Sequence, residues 1–236
     1  MTLKAVLLDL NGTLIHDEPI HRQLLLALLA EKGIVLEPGE YATHCLGRSD
    51  RACLQGIWQR RGQTLDLPQQ EALIAIKNQR YRETLAQLPH LPLYPDAADF
   101  LFRLRGEQVR LALVTGAFRA EAQWILEQSH WLPYFSAVVT GDDITHSKPD
   151  PEGYCLAIDR LNQAHPDLGL LPWECLAVED SPAGMQAAQG AGIPVVGVAH
   201  TLPFHMVQRR ADWAIDRLID LELPRVKATF ADALRD

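Results

Sequence analysis

The chain has 236 residues, of which 47% are hydrophobic and 22% are charged, and this composition excludes a largely disordered protein. Lys and Arg number 22 against 30 Asp and Glu, so the formal charge of −8 excludes a generally basic surface for nucleic acid. No apolar run in the sequence reaches the ~18 residues that a membrane helix needs.

Six short apolar runs predict the strands of a parallel sheet. The first, residues 4–10, follows the N-terminus directly, so no signal peptide is expected. The others are residues 109–115, 137–140, 175–179, 194–199 and 213–215. Their continuous apolarity is typical of strands that are covered on both faces. Helical periodicity at residues 96–105, 120–128, 151–162 and 182–191 alternates with them and predicts an α/β fold with a doubly wound parallel sheet.

One segment interrupts this alternation. Amphipathic helical patterns at residues 24–30, 52–61 and 70–88 have no convincing strand between them. We therefore predict an α/β core domain of residues 1–15 and 90–236 and a small helical cap domain of residues 16–89. The cap should lie over the carboxyl edge of the sheet, where folds of this kind bind ligands. The stretch after Pro224 predicts one last helix.

The four cysteines have neither a CxxC pair nor an obvious zinc spacing; they are Cys45, Cys53, Cys155 and Cys175. This scatter predicts reduced, buried thiols in a cytoplasmic protein. The acidic composition offers no surface for nucleic acid, no segment is suited to a membrane, and we expect a monomer or a weak homo-oligomer.

Chemically active side chains collect at or just after the carboxyl ends of four of the predicted strands. They are Asp9, Thr115 with Gly116, Lys148, and Glu179 with Asp180. Because the carboxyl ends of parallel strands meet at one crevice, we expect these residues to lie together. Oxygen ligands suit a hard cation such as Mg²⁺, and a lysine, a hydroxyl and loop amides suit a phosphoryl group. A carboxylate can attack phosphorus when such cations offset the repulsion between anions.

This chemistry predicts a role for each residue. Asp9 is the candidate nucleophile, Lys148 neutralises charge, and Thr115 with the Gly116 amide holds the phosphate. The predicted Mg²⁺ ligands are Asp9, the main-chain carbonyl of Asn11, Glu179 and Asp180.

The four segments resemble the four motifs of the haloacid-dehalogenase-like superfamily in order and spacing. Residues 147–151 (SKPDP) and 178–181 (VEDS) are especially close, and the resemblance extends from residue 4 to about residue 198. The inserted helices and residues 17–21 (DEPIH) are similar to the capped subfamily of small-molecule phosphatases and β-phosphoglucomutase-like enzymes. The resemblance implies a Mg²⁺-dependent phosphatase that acts on a small phosphorylated metabolite through an aspartyl-phosphate intermediate.

One residue departs from the family pattern. The residue two positions after the nucleophile is an aspartate in the family's phosphatases, where it protonates the leaving oxygen and later deprotonates water. Here it is Asn11, whose carboxamide does not exchange a proton near neutral pH. Loss of a general acid or base costs about 10²–10⁴ in rate. We therefore predict intact binding with weakened turnover, and the alternative origin of Asn11 is a substitution introduced to trap an intermediate.

Residues 46–51 (LGRSDR) resemble the loop that faces substrate in capped relatives. Arg48 is the candidate phosphate contact from this loop, with a solvated arginine as the alternative. The position at which the mutases carry a phosphate-binding arginine is Asp50, which disfavours a mutase. His21 is a further candidate substrate contact or hinge residue, and His16 is a candidate for the missing acid–base group.

Three other functions stay open at this stage. A binding or regulatory protein could retain the site without turnover. A dehalogenase also uses an aspartate nucleophile, but it has no use for the paired acids Glu179 and Asp180. A phosphomutase is disfavoured by both Asn11 and Asp50.

Overall fold

Six parallel strands form the centre of the computed structural model, which describes residues 2–232. The strands are β1 (Ala5–Leu8), β2 (Arg110–Val114), β3 (Ala137–Val139), β4 (Cys175–Glu179), β5 (Val195–Val198) and β6 (Trp213–Ile215). They lie in the order β3-β2-β1-β4-β5-β6, and every pairing is parallel. The predicted doubly wound α/β fold is confirmed, and all six apolar runs contain a strand.

Strand β1 shows why these runs are apolar throughout. Its four residues are fully buried, with Val6 and Leu8 in one hydrophobic cluster and Ala5 and Leu7 in another. Successive side chains of a strand point to opposite faces, so a strand between two helical layers must be apolar at every position. The side-chain pattern of β1 therefore indicates that helices cover both faces of the sheet.

Helices of the α/β part follow the strands as the periodicity predicts. They are α5 (Ala97–Gly106), α6 (Arg119–Gln128), α7 (Glu152–Ala164), α8 (Pro182–Gly190), α9 (Phe204–Val207) and α10 (Leu223–Asp232). Ser181 caps α8, accepting a hydrogen bond from the Gly184 amide at 3.0 Å. Pro151 lies before α7 rather than inside it, although Asp150 still accepts from the amide of Glu152. Nothing in the described helices has the length and apolarity needed to cross a membrane.

Four helices lie between β1 and α5, namely α1 (Glu18–Glu31), α2 (Glu40–His44), α3 (Asp50–Arg60) and α4 (Leu67–Gln87). They enclose their own hydrophobic cluster, which includes Leu28, Ile57 and Leu73. The two chain segments that connect them to the sheet run side by side, where the amide of His16 donates to Pro92 at 2.7 Å and that of Tyr94 donates to Leu14 at 3.1 Å. The five-residue helix α2 has no counterpart in the sequence prediction.

The prediction of four reduced, buried thiols is wrong. Cys45 follows α2 and Cys53 lies in the first turns of α3, and their sulfurs are joined in a disulfide. The packing of these two helices brings Cys45 and Cys53 together although they are eight positions apart in sequence. No short cysteine motif indicates this pairing. Cys155 and Cys175 are free, and only Cys175 is buried.

Candidate active site

The carboxyl ends of three neighbouring strands bring the predicted site residues together. Asp9 follows β1, Thr115 follows β2, and Glu179 ends β4, with Asp180 next to it. Because β2 and β4 pair with β1 on either side, these residues meet at the centre of the sheet edge. All of them are buried, with Asp9 6% exposed and Glu179 0% exposed.

Lys148 reaches this point from the loop that precedes α7. Its ammonium lies 2.6 Å from Asp9 Oδ1 and 2.6 Å from Glu179 Oε1, and it also donates to the Val114 carbonyl at 3.0 Å. Burial disfavours the ammonium, but the charges of Asp9 and Glu179 outweigh that effect and raise the pKa of Lys148 above its ordinary value. The lysine is therefore a permanent cation beside the candidate nucleophile.

Three buried carboxylates, from Asp9, Glu179 and Asp180, place one oxygen each within 4.8 Å of the others. Burial and the charge of Asp9 raise the pKa of Glu179 to about 7, although Lys148 opposes this. Burial and the charges of Asp9 and Glu179 likewise raise the pKa of Asp180. Glu179 Oε2 is buried without a hydrogen-bond partner among residues 2–232. One lysine does not balance this charge, and the oxygen donor set fits a hard divalent cation.

Gly12 makes room for the Asp180 carboxylate. A Cβ atom at residue 12 would lie 2.2 Å from Asp180 Oδ2, and its φ of +81° lies in the left-handed region that favours glycine. Thr13 donates a hydrogen bond to Asp180 Oδ1 at 3.0 Å, and Thr201 donates to Oδ2. The Thr13 hydroxyl also lies 3.2 Å from Asp9 Oδ2, so the tight turn after Asp9 positions the carboxylates of both Asp9 and Asp180.

Asn11 is held by groups on both sides of its carboxamide. Its Oδ1 accepts a hydrogen bond from Thr115 at 3.0 Å, and its Nδ2 donates to Asp17 Oδ2 at 2.7 Å. Nδ2 also lies 3.1 Å from His21 Nε2. Asp17 is fully buried and accepts a further hydrogen bond from Tyr81 at 2.5 Å. The carboxamide therefore has a fixed orientation, with the nitrogen directed towards Asp17.

A buried lysine from α4 lies behind His21. Lys77 Nζ is 2.8 Å from His21 Nδ1 and 2.8 Å from Asp50 Oδ2. Because an ammonium only donates hydrogen bonds, His21 Nδ1 accepts, and Nε2 carries the ring proton. That proton faces Asp17 Oδ2, which lies 3.3 Å from Nε2.

A cavity lies between the sheet edge and helices α1, α3 and α4, and several of the residues described above line it. Asp9, Asn11, His21 and Arg48 line it, together with Glu18, Asp50, Lys77, Glu121 and Asp180. Residues 47–49 approach the sheet edge closely, since a Cβ atom on Gly47 would lie 2.3 Å from Ser181 Oγ and one on Gly116 would lie 3.3 Å from the backbone of Ser49. The helices therefore enclose the site.

The predicted site residues lie at or beside this cavity, with the exception of the candidate His16. His16 bonds to the Tyr94 hydroxyl at 3.0 Å and does not line the cavity, so it is not positioned to replace the missing acid. Sequence reasoning placed Asp17 in the segment 17–21 that resembles the capped subfamily but gave it no role, and it missed Lys77 and Glu121. Lys77 and Glu121 lie in ordinary amphipathic patterns without a motif.

Comparison with known proteins identifies a family and the same fold. Residues 3–192 match the family model of the haloacid dehalogenase-like hydrolases. Protein CbbY of Rhodobacter capsulatus is 31% identical over 207 residues, covering 83% of this chain and 85% of the relative. A phosphorylated carbohydrates phosphatase of Thermotoga maritima is 28% identical, with 85% and 87% covered. The crystal structure of β-phosphoglucomutase from Clostridium difficile superposes with a TM-score of 0.83 at 17% identity, covering 99% of this chain and 100% of that one, which shows a shared fold.

Proposed function

The chain belongs to the haloacid dehalogenase-like hydrolases, and on this premise we propose that it is a Mg²⁺-dependent phosphomonoesterase for a small phosphorylated metabolite. The observation that carries the proposal is the buried ammonium of Lys148, 2.6 Å from both Asp9 and Glu179. Phosphatase relatives such as that of Thermotoga maritima support a phosphate ester as substrate. We further propose that helices α1–α4 act as the cap over the site, as predicted for residues 16–89.

In the proposed reaction the Asp9 carboxylate attacks phosphorus, the P–O bond to the leaving group breaks, and an aspartyl phosphate forms. Lys148 offsets the negative charge that Asp9 and the phosphoryl group bring together. Thr115 and the Gly116 amide lie at the neighbouring strand end and are the proposed phosphate contacts. Water then attacks the phosphorus, which releases inorganic phosphate and restores the Asp9 carboxylate.

Asp9, the Asn11 carbonyl, Glu179 and Asp180 would hold Mg²⁺, which when bound supplies positive charge to the phosphoryl oxygens. The buried, unpartnered Glu179 Oε2 and the raised pKa of both Glu179 and Asp180 support a cation at this place. Burial of several carboxylates is unfavourable without such compensation.

Asn11 should slow the turnover of the proposed phosphatase. Its Nδ2 donates to Asp17, and its Oδ1 accepts from Thr115, so the side chain can orient a hydrogen bond but cannot transfer a proton. The enzyme should therefore favour esters whose leaving groups depart without protonation. The aspartyl phosphate should be long-lived, because no carboxylate at this position activates water.

The same hydrogen bonds favour a second candidate function. A protein that binds phosphate or a phosphorylated metabolite and signals its presence would keep Asp9 and Lys148 without needing a proton-transfer group. A mutase is disfavoured, because Asp50 binds Lys77 at the position of the mutases' phosphate-binding arginine. The clustered acids Asp9, Glu179 and Asp180 disfavour a dehalogenase, which has no use for a metal site.

Hydrolysis of an aryl phosphate tests the proposal, because an aryl leaving group needs little acid catalysis. We expect phosphate release that requires Mg²⁺ and stops with a chelator, and a phosphoryl adduct on Asp9 in acid-quenched protein by mass spectrometry. Asp9→Asn should abolish both signals, and the exposed control Asp167→Asn should retain them. Tight Mg²⁺-dependent phosphate binding without hydrolysis would favour the binding protein instead.

A further inference from the structure

The cavity wall that lies away from Lys148 is acidic. Glu18, Asp50 and Glu121 all line the cavity. Lys77 neutralises Asp50 through contacts of 2.8 Å to each carboxylate oxygen. Neither Glu18 nor Glu121 forms an ion pair with a lysine or arginine among the described residues. The wall therefore carries two carboxyl groups without a cationic partner of their own.

Glu121 is the more informative of the two. The residue is 3% exposed, and its Oε1 is buried with no hydrogen-bond partner within residues 2–232. The imidazole of His21 lies beside it, with Nε2 3.6 Å from Glu121 Oε1, beyond hydrogen-bond distance. Glu18, by contrast, accepts a hydrogen bond from Tyr41 at 2.6 Å. A buried carboxyl oxygen without a donor is unfavourable, and here it adjoins a ligand cavity.

Positive charge is concentrated at the other end of the cavity. Lys148 lies beside Asp9, and Arg48 belongs to the loop that packs against Gly116 and Ser181. Lys77 is already bound to Asp50 and His21. A phosphoryl group is therefore attracted to the Asp9 end, whereas a second anion on the leaving group would face the carboxyl groups of Glu18 and Glu121.

Glu121 lies close to Asn11, the residue two positions after the candidate nucleophile. His21 connects it to the reacting centre, because the same Nε2 atom is 3.6 Å from Glu121 Oε1 and 3.1 Å from Asn11 Nδ2. Asn11 follows the candidate nucleophile by two residues. A leaving group that lies beside Asn11 would thus need only a short spacer to place an ammonium at Glu121.

We propose that the substrate is a phosphate monoester whose leaving group carries a protonated amine near the ester oxygen, and that Glu121 binds this ammonium. This inference rests on the proposed phosphatase function. An ammonium would supply both the missing hydrogen-bond donor of Oε1 and the positive charge that the wall lacks. Burial raises the pKa of both Glu18 and Glu121 because it disfavours the charged carboxylate, and a bound ammonium would offset that cost.

Two matched pairs of esters test the proposal. Aminoethyl phosphate is compared with hydroxyethyl phosphate, and glucosamine phosphorylated at the anomeric oxygen with glucose phosphorylated there. We expect kcat/KM to be about 10–100-fold higher for the amine in at least one pair, the size of a hydrogen bond between charged groups. Glu121→Gln keeps the side-chain shape and should reduce that ratio towards one. The control Glu127→Gln, on the exposed face of the same helix, should retain it.

The outcomes separate this inference from the proposed function. Aryl phosphate hydrolysis without any amine preference, or an amine preference that Glu121→Gln leaves unchanged, would overturn the ammonium site and leave the phosphatase intact. If Glu121→Gln does not fold, the ratio in the unaltered protein decides. If no ester is hydrolysed, calorimetric binding of aminoethyl and hydroxyethyl phosphate to the Mg²⁺-treated protein replaces kinetics, and equal affinities would contradict the inference.

Discussion

Replacement of Asn11 by aspartate is expected to create the proton-transfer group that the site lacks. The Asn11 Nδ2 atom donates to Asp17 Oδ2 at 2.7 Å, so Asn11→Asp places a carboxyl oxygen against an existing carboxylate. Burial alone would raise the pKa of Asp17, but His21, Tyr81 and Asn11 outweigh it and lower that pKa below its ordinary value. Asp17 should therefore stay ionised, and the introduced carboxyl should take up the proton.

The size of this effect follows from the distance. Two unit charges 2.7 Å apart repel by about 6 kcal/mol at an effective dielectric constant of about 20. That repulsion is enough to raise the second pKa of the carboxyl pair from about 4 to neutrality or above. The introduced carboxyl would then be protonated at neutral pH, where it can donate its proton to a leaving alkoxide.

The assay compares two leaving groups in the same enzyme. With an alkyl phosphate, whose alkoxide must be protonated, we expect Asn11→Asp to raise kcat by about 10²–10⁴. With an aryl phosphate the first step needs little acid, so formation of the phosphoenzyme, measured in a single turnover, should change much less. Asn11→Asp/Asp17→Asn is the matched control, because removing the neighbouring charge lowers the pKa of the introduced acid, so the fall in rate on the alkaline side of the pH–rate profile should move to lower pH.

Two results would refute this reasoning. An unchanged rate on alkyl esters would mean that Asn11 does not face the leaving oxygen or that another group already supplies the proton. An equal gain in phosphoenzyme formation from aryl and alkyl esters would mean that the substitution acts on something other than leaving-group protonation. Thermal unfolding of both variants shows whether repulsion from Asp17 has damaged the fold.

Three further outcomes are expected. Lys148→Met leaves its neighbouring carboxylates buried and unpaired, so urea unfolding should show a loss of about 3–5 kcal/mol that Mg²⁺ partly restores, whereas the exposed control Lys32→Met should change little. Bidentate hydrogen bonds from Arg61 lower the pKa of Glu40 to about 2. Glu40 should therefore contribute folding stability that is complete above pH ~4.5 and lost as pH falls towards 2. Glu40→Gln should lower the free energy of unfolding by up to about 3 kcal/mol, whereas Glu37→Gln should not. A thiol reagent should find two of the four thiols in unfolded, unreduced protein and all of them after reduction; four without reduction would contradict the disulfide.

The sheet and the residues at its edge were predictable because both depend on local patterns. A strand between two helical layers must be apolar at every position, so the runs that contain β1 and β4 were visible in the sequence. Parallel topology then required Asp9 and Glu179 to share one edge. Lys148 follows from the same reasoning, although it lies 139 residues from its partner Asp9. The family resemblance added the roles of these residues.

The surroundings of Asn11 depend instead on how helices from distant parts of the chain pack over the sheet edge. An amphipathic pattern shows which face of α4 or α6 is buried, but not which side chain from another helix meets it. Lys77 and Glu121 therefore looked like ordinary members of polar helix faces, and their positions around His21 arise only in the folded protein. The disulfide between Cys45 and Cys53 has the same origin. Local sequence determines the strands and their terminal residues, whereas the substrate-facing wall is set by packing between distant segments.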